Sequence, residues 1–309
     1  MSEILVTGGA GSIGSNLTRT LLEQSHAVTV LDDLSSGHQE LLAGEAKFVK
    51  GSVTGEDDLR EAFAREPEFV FHLAALFANQ NSVEHPIADL EANGLGTLRL
   101  LQMCSERGVG KLLFVSSSCV YGPKEVMRED DPELTLETPY AITKLLGEHY
   151  CKFWAGEHGL DIVSVRPFNS YGPHEYPGRY RNVIPNFFQI ARRGEPLPIT
   201  GTGEETRDFT FVQDIVDGMI AAMKGSTDAG DVFNLGSGVE VTIRDLAEKI
   251  NTLTGNNAGI ELRPRRSWDH VLRRRADVSK ARKVLGFSAK VGIDEGLERT
   301  LRWLEPIDA

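Results

Sequence analysis

Tyr140 and Lys144 stand four residues apart in Tyr140-Ala141-Ile142-Thr143-Lys144, a spacing that puts a phenol and an ammonium on one face of a helix. Thr138-Pro139, directly upstream, reads as a helix start with proline in the first turn. A phenol near its reference pKa of about 10 is a poor base at neutral pH. A neighbouring Lys⁺, joined by any further positive charge brought beside the phenol, favours the phenolate and turns the pair into a proton acceptor. Such pairs also arise by chance on surface helices. The weight of this one comes from Ser116-Ser117-Ser118, at the end of the preceding expected strand, where cofactor chemistry takes place in an open α/β sheet.

A second constellation opens the chain. Val6-Thr7-Gly8-Gly9-Ala10-Gly11-Ser12-Ile13-Gly14 sets glycines at 8, 11 and 14 between a strand and a helix. Glycine permits the tight turn and the close approach of a diphosphate, and the helix after it offers free N–H groups and its positive end. Asp32-Asp33 ends the second strand, where a carboxylate accepts hydrogen bonds from a ribose diol and repels a 2′-phosphate. No arginine follows closely, which favours NAD over NADP. A glycine turn before an ordinary helix is the bland alternative; the coincidence of strand, turn, helix and acidic pair argues against it.

These residues need a frame. Ile4 to Val6, Ala27 to Leu31, Lys47 to Val49, Phe69 to Phe71 and Lys111 to Val115 read as short buried strands. Between them lie helical patterns at Ile13 to Leu22 and Leu59 to Phe63, and a long helical stretch from about Ser82 to Glu106. The alternation predicts an α/β fold, a Rossmann-like doubly wound parallel sheet with ligands at the carboxyl ends of its strands. After Arg166 the texture changes to a stretch rich in proline, glycine and aromatics, with helices near Pro185 to Arg193 and Thr242 to Leu253. The division expected is a dinucleotide-binding domain over 1–166, to which segments near 209–237 return, and a smaller discontinuous α/β lobe over 167–309.

With 309 residues, 40% hydrophobic and 25% charged, the chain has the composition of a folded protein with one large core and a smaller lobe. Its net charge of -12 argues against nucleic-acid and acidic-membrane partners, both polyanions. Cys104, Cys119 and Cys151 are too few and too scattered for a disulfide framework or a zinc site, and the eight histidines show no metal spacing. His174 and His270 are assigned to the surface. No leader-like stretch precedes the first strand and no apolar run approaches a membrane span, so the compartment expected is the cytoplasm.

Five motifs occur in order: Thr7 to Gly14, Ser116 to Gly122, Tyr140 to Lys144, Arg166 to Gly172 (Arg-Pro-Phe-Asn-Ser-Tyr-Gly) and Arg207 to Asp214 (Arg-Asp-Phe-Thr-Phe-Val-Gln-Asp). Through them, and over almost its whole length, the chain resembles the extended short-chain dehydrogenase/reductase family, in its nucleotide-sugar epimerase/dehydratase branch. The resemblance implies that Tyr140 is the catalytic base, that Lys144 binds the nicotinamide ribose and lowers the tyrosine pKa, and that Ser117 assists proton transfer. It places Gly8, Gly11, Ser12, Ile13, Gly14, Asp32 and Asp33 around the NAD cofactor. Leu73, Ala74, Ala75, Asn93, Ser116 and Pro167 join them there. It assigns Ser117, Ser118, Cys119, Asn169, Asn182, Arg207, Arg266, Asp269 and Arg274, with Tyr140, to a nucleotide-sugar substrate.

The 4,6-dehydratases of this branch carry Asp-Glu immediately after the catalytic Ser/Thr, and its uronate decarboxylases carry Glu at the second of those positions. Here the two are Ser118 and Cys119. The resemblance therefore implies an epimerase acting through a transient 4-keto sugar, with C4 of a UDP-hexose favoured. A dehydratase using Cys119, a 4-keto reductase and a non-catalytic dinucleotide sensor stay open. Cys119 reads first as a small pocket-lining residue. Arg263, Arg265, Arg266, Arg273, Arg274 and Arg275 crowd one stretch; half suit a diphosphate and half a solvated basic edge. Arg274 lies near the position that limits the sugar C2 substituent in related epimerases, and either disfavours N-acetyl sugars or meets a carboxylate at C6. Ser52 and Phe77 to Asn81 depart from the family pattern on the cofactor side. Relatives pair as homodimers through two long helices, which here fall near Ala88–Glu106 and Tyr140–His158.

Overall fold

The computed structural model describes residues 1–225, 227–266 and 270–305. The first strand β1 (Glu3–Thr7) leads through the glycine turn into α1 (Ser12–Glu23) and back to β2 (Ala27–Asp32). β3 (Lys47–Lys50), α2 (Glu56–Ala62) and β4 (Phe69–His72) repeat the alternation. α3 (Asn79–Glu84), α4 (Pro86–Asp89) and α5 (Gly96–Arg107) then lead to β5 (Lys111–Val115). The short β6 (Val126–Met127) precedes α6 (Pro139–His158) and β7 (Asp161–Pro167).

Beyond β7 come β8 (Ser170–Tyr171), α7 (Val183–Arg192), β9 (Leu197–Thr200), β10 (Thr206–Arg207) and β11 (Thr210–Phe211). α8 (Val212–Lys224) and β12 (Asp231–Leu235) follow, then β13 (Val241–Thr242), α9 (Ile243–Thr254) and β14 (Ile260–Arg263). β15 (Arg275–Ala276), α10 (Ser279–Leu285) and α11 (Ile293–Leu304) complete the described chain.

Seven strands form one parallel sheet in the order β12-β7-β5-β4-β1-β2-β3. This is the Rossmann-like doubly wound arrangement, and the apolar strand sequences explain it: β5 is buried at every residue because helices cover both faces. On one face Leu17 and Leu21 of α1 share a core with Ile215, Val216 and Met219 of α8. On the other, Leu59 of α2, Leu100 and Leu101 of α5, and Cys151 and Trp154 of α6 pack together. The strand at 231–235 lies in the sheet beside β7. A separate core gathers Ile184, Phe187 and Phe188 of α7 with Leu246 and Ile250 of α9 and Leu297 of α11.

The helix predicted from about Ser82 to Glu106 is not continuous. Pro86 has no N–H to continue a helical ladder, and the chain breaks at His85 between α3 and α4. Leu90–Leu95 then winds as a π-helix before α5. Such wider turns concentrate at functional sites. This one holds Asn93, which is fully buried.

His72, at the end of β4, is enclosed between Thr7 and Thr97, with Nδ1 2.7 Å from Thr7 Oγ1 and Nε2 2.9 Å from Thr97 Oγ1. Thr97 donates its own proton to the Asn93 carbonyl at 2.6 Å. The imidazole therefore donates from Nε2 and accepts at Nδ1, a neutral ring. Burial, and then the charge of Lys144, lower its pKa from 6.5 to about 3. The unfolded chain thus binds a proton between pH 6.5 and 3 that the fold refuses, and stability falls as pH is lowered through that window. His72→Gln, which takes up no proton, is expected to show a smaller drop in urea midpoint between pH 7.5 and pH 5 than the parent; an equal drop would clear His72 of this role.

Candidate active site

A cleft of about 800 Å³ crosses the carboxyl ends of the strands, at the point between β1 and β4 where the strand order reverses. Its two ends differ in chemistry. One is built by the glycine turn. Gly8 has φ +73, and a Cβ on it would lie 2.6 Å from the Ala74 amide nitrogen; a Cβ on Gly14 would lie 2.1 Å from the Gly8 carbonyl oxygen. Backbone here approaches backbone as closely as it can, leaving the first turn of α1, Ser12 to Gly14, along the cleft wall.

Asp32 secures this turn. Its Oδ2 accepts the Ala10 N–H at 2.9 Å and its Oδ1 the Leu34 N–H at 2.8 Å. The exposed Asp33 accepts the Ser35 N–H. Both carboxylates line the cleft, with Leu73, Ala74 and Ala75 on the side formed after β4. A glycine cradle at a helix N-terminus, with carboxylates at the end of the next strand, fits a dinucleotide's diphosphate and ribose.

The other end holds Ser117, Tyr140 and Lys144. Thr138 caps α6, its Oγ1 accepting the Ala141 N–H at 3.3 Å, so Pro139 starts the helix as predicted and Tyr140 stands in its first turn. Tyr140 is 5% exposed, with the Phe77 ring edge-on at 5.9 Å. Lys144 Nζ donates to the Val115 carbonyl at 2.8 Å and lies 5.8 Å from the Tyr140 ring centre.

Burial pushes the Tyr140 phenol above its ordinary value; Cys119 and Asp89 act the same way and the Ser117 hydroxyl opposes them. Burial likewise lowers Lys144 to about 8. The lowered tyrosine pKa that the resemblance implies is therefore not a property of the protein alone: in a buried site desolvation disfavours the phenolate.

Two cofactor-side assignments act at one remove. Asn93 is not in the cleft wall. The π-helical turn aims it at the loop after β4, where its Oδ1 accepts the Leu76 N–H at 2.8 Å and its Nδ2 donates to Asp89 at 2.8 Å. Ser116 lines the cleft, but its hydroxyl donates to Glu148 Oε1 in a short hydrogen bond. That carboxylate also receives Arg166, Nε at 2.8 Å and Nη2 at 2.6 Å, with both side chains buried. Pro167, at the end of β7, lines the cleft directly.

On the substrate side Ser118, Cys119, Asn169, Asn182, Arg207, Arg266 and Arg274 all line the cleft. Asp269 lies outside the described residues. Asn169 donates to the Asp208 carbonyl at 2.9 Å, and Asn182 donates to Glu175 at 2.8 Å. The arginine-rich stretch divides. Arg273 pairs with Glu240 at 2.6 Å and Glu125 at 3.2 Å on an exposed edge, while Arg274 turns inward.

His174 is not on the surface: it is 8% exposed and its Nδ1 lies 2.9 Å from Ser15 Oγ, joining the 172–175 loop to α1. His270 is exposed. Ser52 and Phe77 line the cleft, Phe77 beside Tyr140.

Several contributors carried no sequence signal of their role. Glu175 lines the cleft with Oε2 unpartnered among the described residues, and burial raises it to about 7. Asp208, inside the 207–214 motif, accepts from the Ser237, Gly238 and Ala276 amides and so fixes β15 beside Arg274. Glu148 lies one helical turn beyond Lys144, a spacing that could have suggested a partner on the same face.

The model of the NAD dependent epimerase/dehydratase family matches residues 4–236. The chain belongs to this family. A UDP-glucose 4-epimerase of Mycolicibacterium smegmatis is 36% identical over 306 residues, covering 97% of each chain. A UDP-N-acetyl-alpha-D-glucosaminuronate decarboxylase of Bacillus cytotoxicus is 34% identical, covering 98% of each. Among solved structures, an epimerase from Methanothermobacter thermautotrophicus superposes with a TM-score of 0.97 at 46% identity, over 99% of this chain and 92% of that one. The chain is thus a member of an NAD-dependent enzyme family that acts on nucleotide sugars, and its relatives include both epimerases and decarboxylases.

Removal of one partner of the Arg166–Glu148 pair leaves a buried charge uncompensated, which typically costs about 3–5 kcal/mol. Glu148→Ala is therefore expected to lower unfolding free energy in urea by that order, with turnover falling as α6 loses its anchor. The double variant Glu148→Leu/Arg166→Met should recover most of the stability. A single-variant loss below about 1 kcal/mol, the worth of an exposed pair, would show the pair to be dispensable.

Proposed function

We propose that this protein epimerises a UDP-hexose at C4. The observation that carries the reading is the Ser117–Tyr140–Lys144 set at one end of the cleft, followed at 118 and 119 by serine and cysteine and by no carboxylic acid. NAD, when bound, supplies the hydride acceptor and donor and a positive ring beside the phenol. Tyr140 takes the proton of the C4 hydroxyl and later returns it, Ser117 hydrogen-bonds the same oxygen, and Lys144 holds positive charge near the phenolate. Ser118 and Cys119 are small enough to leave the keto sugar room to turn. Gly8 to Gly14 with Asp32 and Asp33 hold the dinucleotide; Asn169, Asn182, Arg207 and Arg266 hold the nucleotide diphosphate.

The test is incubation with UDP-glucose and UDP-galactose without added reductant, followed by NMR and mass. Isomerisation at unchanged mass is expected, and Tyr140→Phe should lower turnover by about 10²–10⁴-fold, the range of a lost acid–base group. Loss of water or consumption of cofactor would replace the epimerase by a dehydratase or reductase, and full turnover in Tyr140→Phe would remove the proton role. Cys119→Ser should turn over nearly as the parent does.

We also propose that two copies pair through α6 and the α4–α5 segment. Ile142 and Phe153 are half exposed on one side of α6, and Ile87, Leu90 and Leu95 are exposed on the neighbouring segment. An apolar face of this kind favours a homodimer. Sedimentation should give the dimer mass for the parent and the monomer mass for Ile87→Glu/Phe153→Glu; a monomeric parent would refute the pairing.

A further inference from the structure

Glu175, on the loop between β8 and α7, lines the cleft and is 4% exposed. Its Oε1 accepts from Asn182, from the side-chain Nδ2 at 2.8 Å and from the backbone N–H at 3.4 Å. Its Oε2 is buried and meets no hydrogen-bond partner among the described residues. Arginines gather in the same cleft, yet among the described residues none forms an ion pair with Glu175. Arg181, whose charge acts on it, turns Nη2 to the Ser36 carbonyl, and Arg179 pairs with Glu84 at 3.0 Å. His174 lies 2.9 Å from Ser15 of α1; burial, and then the charge of Arg19, lower it to about 4, so its ring is neutral near pH 7. Tyr176, whose phenol burial raises, is uncharged there too.

Burying a carboxylate without a cation is costly, and taking up a proton removes the cost. The neutral carboxyl has one O–H to donate. Oε1 is occupied as an acceptor, so the proton belongs on Oε2, which has no acceptor within the described chain. Asn182 has no donor to spare: its Nδ2 serves Glu175 and, at 3.3 Å, the Ser170 carbonyl. In the reading above Asn182 faces the nucleotide diphosphate, and the free donor at this corner is the Glu175 hydroxyl. An O–H aimed at an anionic oxygen makes a strong, short hydrogen bond, whereas a carboxylate in the same place repels it.

We propose that Glu175 is a further substrate-binding residue that works as a neutral acid, donating from Oε2 to a diphosphate oxygen of the nucleotide sugar. The proposal rests on the reading of the cleft as a nucleotide-sugar site, and not on which reaction follows. Its sign is fixed. Below about pH 7 the carboxyl is neutral and donates; above it the anion faces the diphosphate, and affinity falls as pH rises.

The experiment is calorimetric binding of UDP-glucose to the NAD-loaded Tyr140→Phe protein, in which turnover does not interfere, at pH 6 and pH 8. The diphosphate of this ligand keeps its charge over that range. Affinity is expected to fall about tenfold, following the neutral fraction of one carboxyl titrating near pH 7. Adding Glu175→Gln, which keeps a donor and cannot ionise, should leave affinity at pH 6 within about threefold and hold it there at pH 8.

An affinity that stays constant from pH 6 to pH 8 before Glu175 is changed overturns the proposal. So does a fall that survives Glu175→Gln, which would assign the titration to another group such as Lys144, itself lowered to about 8. Weak binding by Glu175→Gln at both pH values, with the thermal midpoint unchanged, would show that the carboxyl is not needed as a neutral donor and overturn it too. Failure of UDP-glucose to bind the Tyr140→Phe protein at either pH would strike the nucleotide-sugar reading itself, and this proposal with it.

Discussion

The buried bond between Arg166 and Glu148 is the constraint on which the active site depends. Arg166 lies in β7, Glu148 in α6, and the same carboxylate receives Ser116 from the end of β5. Three elements therefore meet on one group, and α6 cannot slide or rotate against the sheet without breaking charge-assisted bonds in a medium that will not resolvate them. The Arg166 guanidinium is further covered by the Tyr121 ring at 4.6 Å, itself tied to Asn234 of β12 at 2.7 Å. Lys144 to the Val115 carbonyl is a second tie between the same helix and strand. Tyr140 is placed by these bonds one turn before Lys144, at the start of the helix.

That rigidity sets the electrostatics. Tyr140 and Lys144 are both dry, and desolvation disfavours phenolate and ammonium alike. The protein by itself holds the pair nearer neutrality than the sequence spacing suggests. In the reaction proposed above, the positive charge that favours the phenolate enters with the cofactor, and readiness for proton transfer would follow occupancy of the glycine end. The chain's net charge of -12 is likewise a poor guide to its cleft, where arginines gather.

Much of this was legible in sequence. Local features carry their own signal: apolar strand runs, glycines whose Cβ would collide with backbone, and a capping threonine before a proline. What escaped depends on partners distant in sequence. The break at His85 and the π-helical turn that aims Asn93 at Leu76 were hidden by an apolar periodicity that runs on past Pro86. Glu148 and Asp208 sit inside or beside these motifs, yet Arg166 and the Ala276 amide, which they hold, lie 18 and 68 residues away. Nothing local distinguishes Arg274 from Arg273; only the fold turns one inward and the other to Glu240.

The seventh strand has a further consequence. β7 ends at Pro167 and β12, its neighbour in the sheet, begins only at Asp231. The segment between them, α7 and Arg207 included, is a closed excursion pinned at both feet to adjacent strands. Closing so long a loop is entropically slow but not prohibitive, since the cost grows only with the logarithm of its length. The edge of the sheet is therefore completed late, after the excursion returns. Once it is closed, the smaller lobe cannot swing away on a single tether as a hinged domain does. α9, β14 and α11 join the same core from beyond β12, so the lobe is tied to the sheet at more than two points.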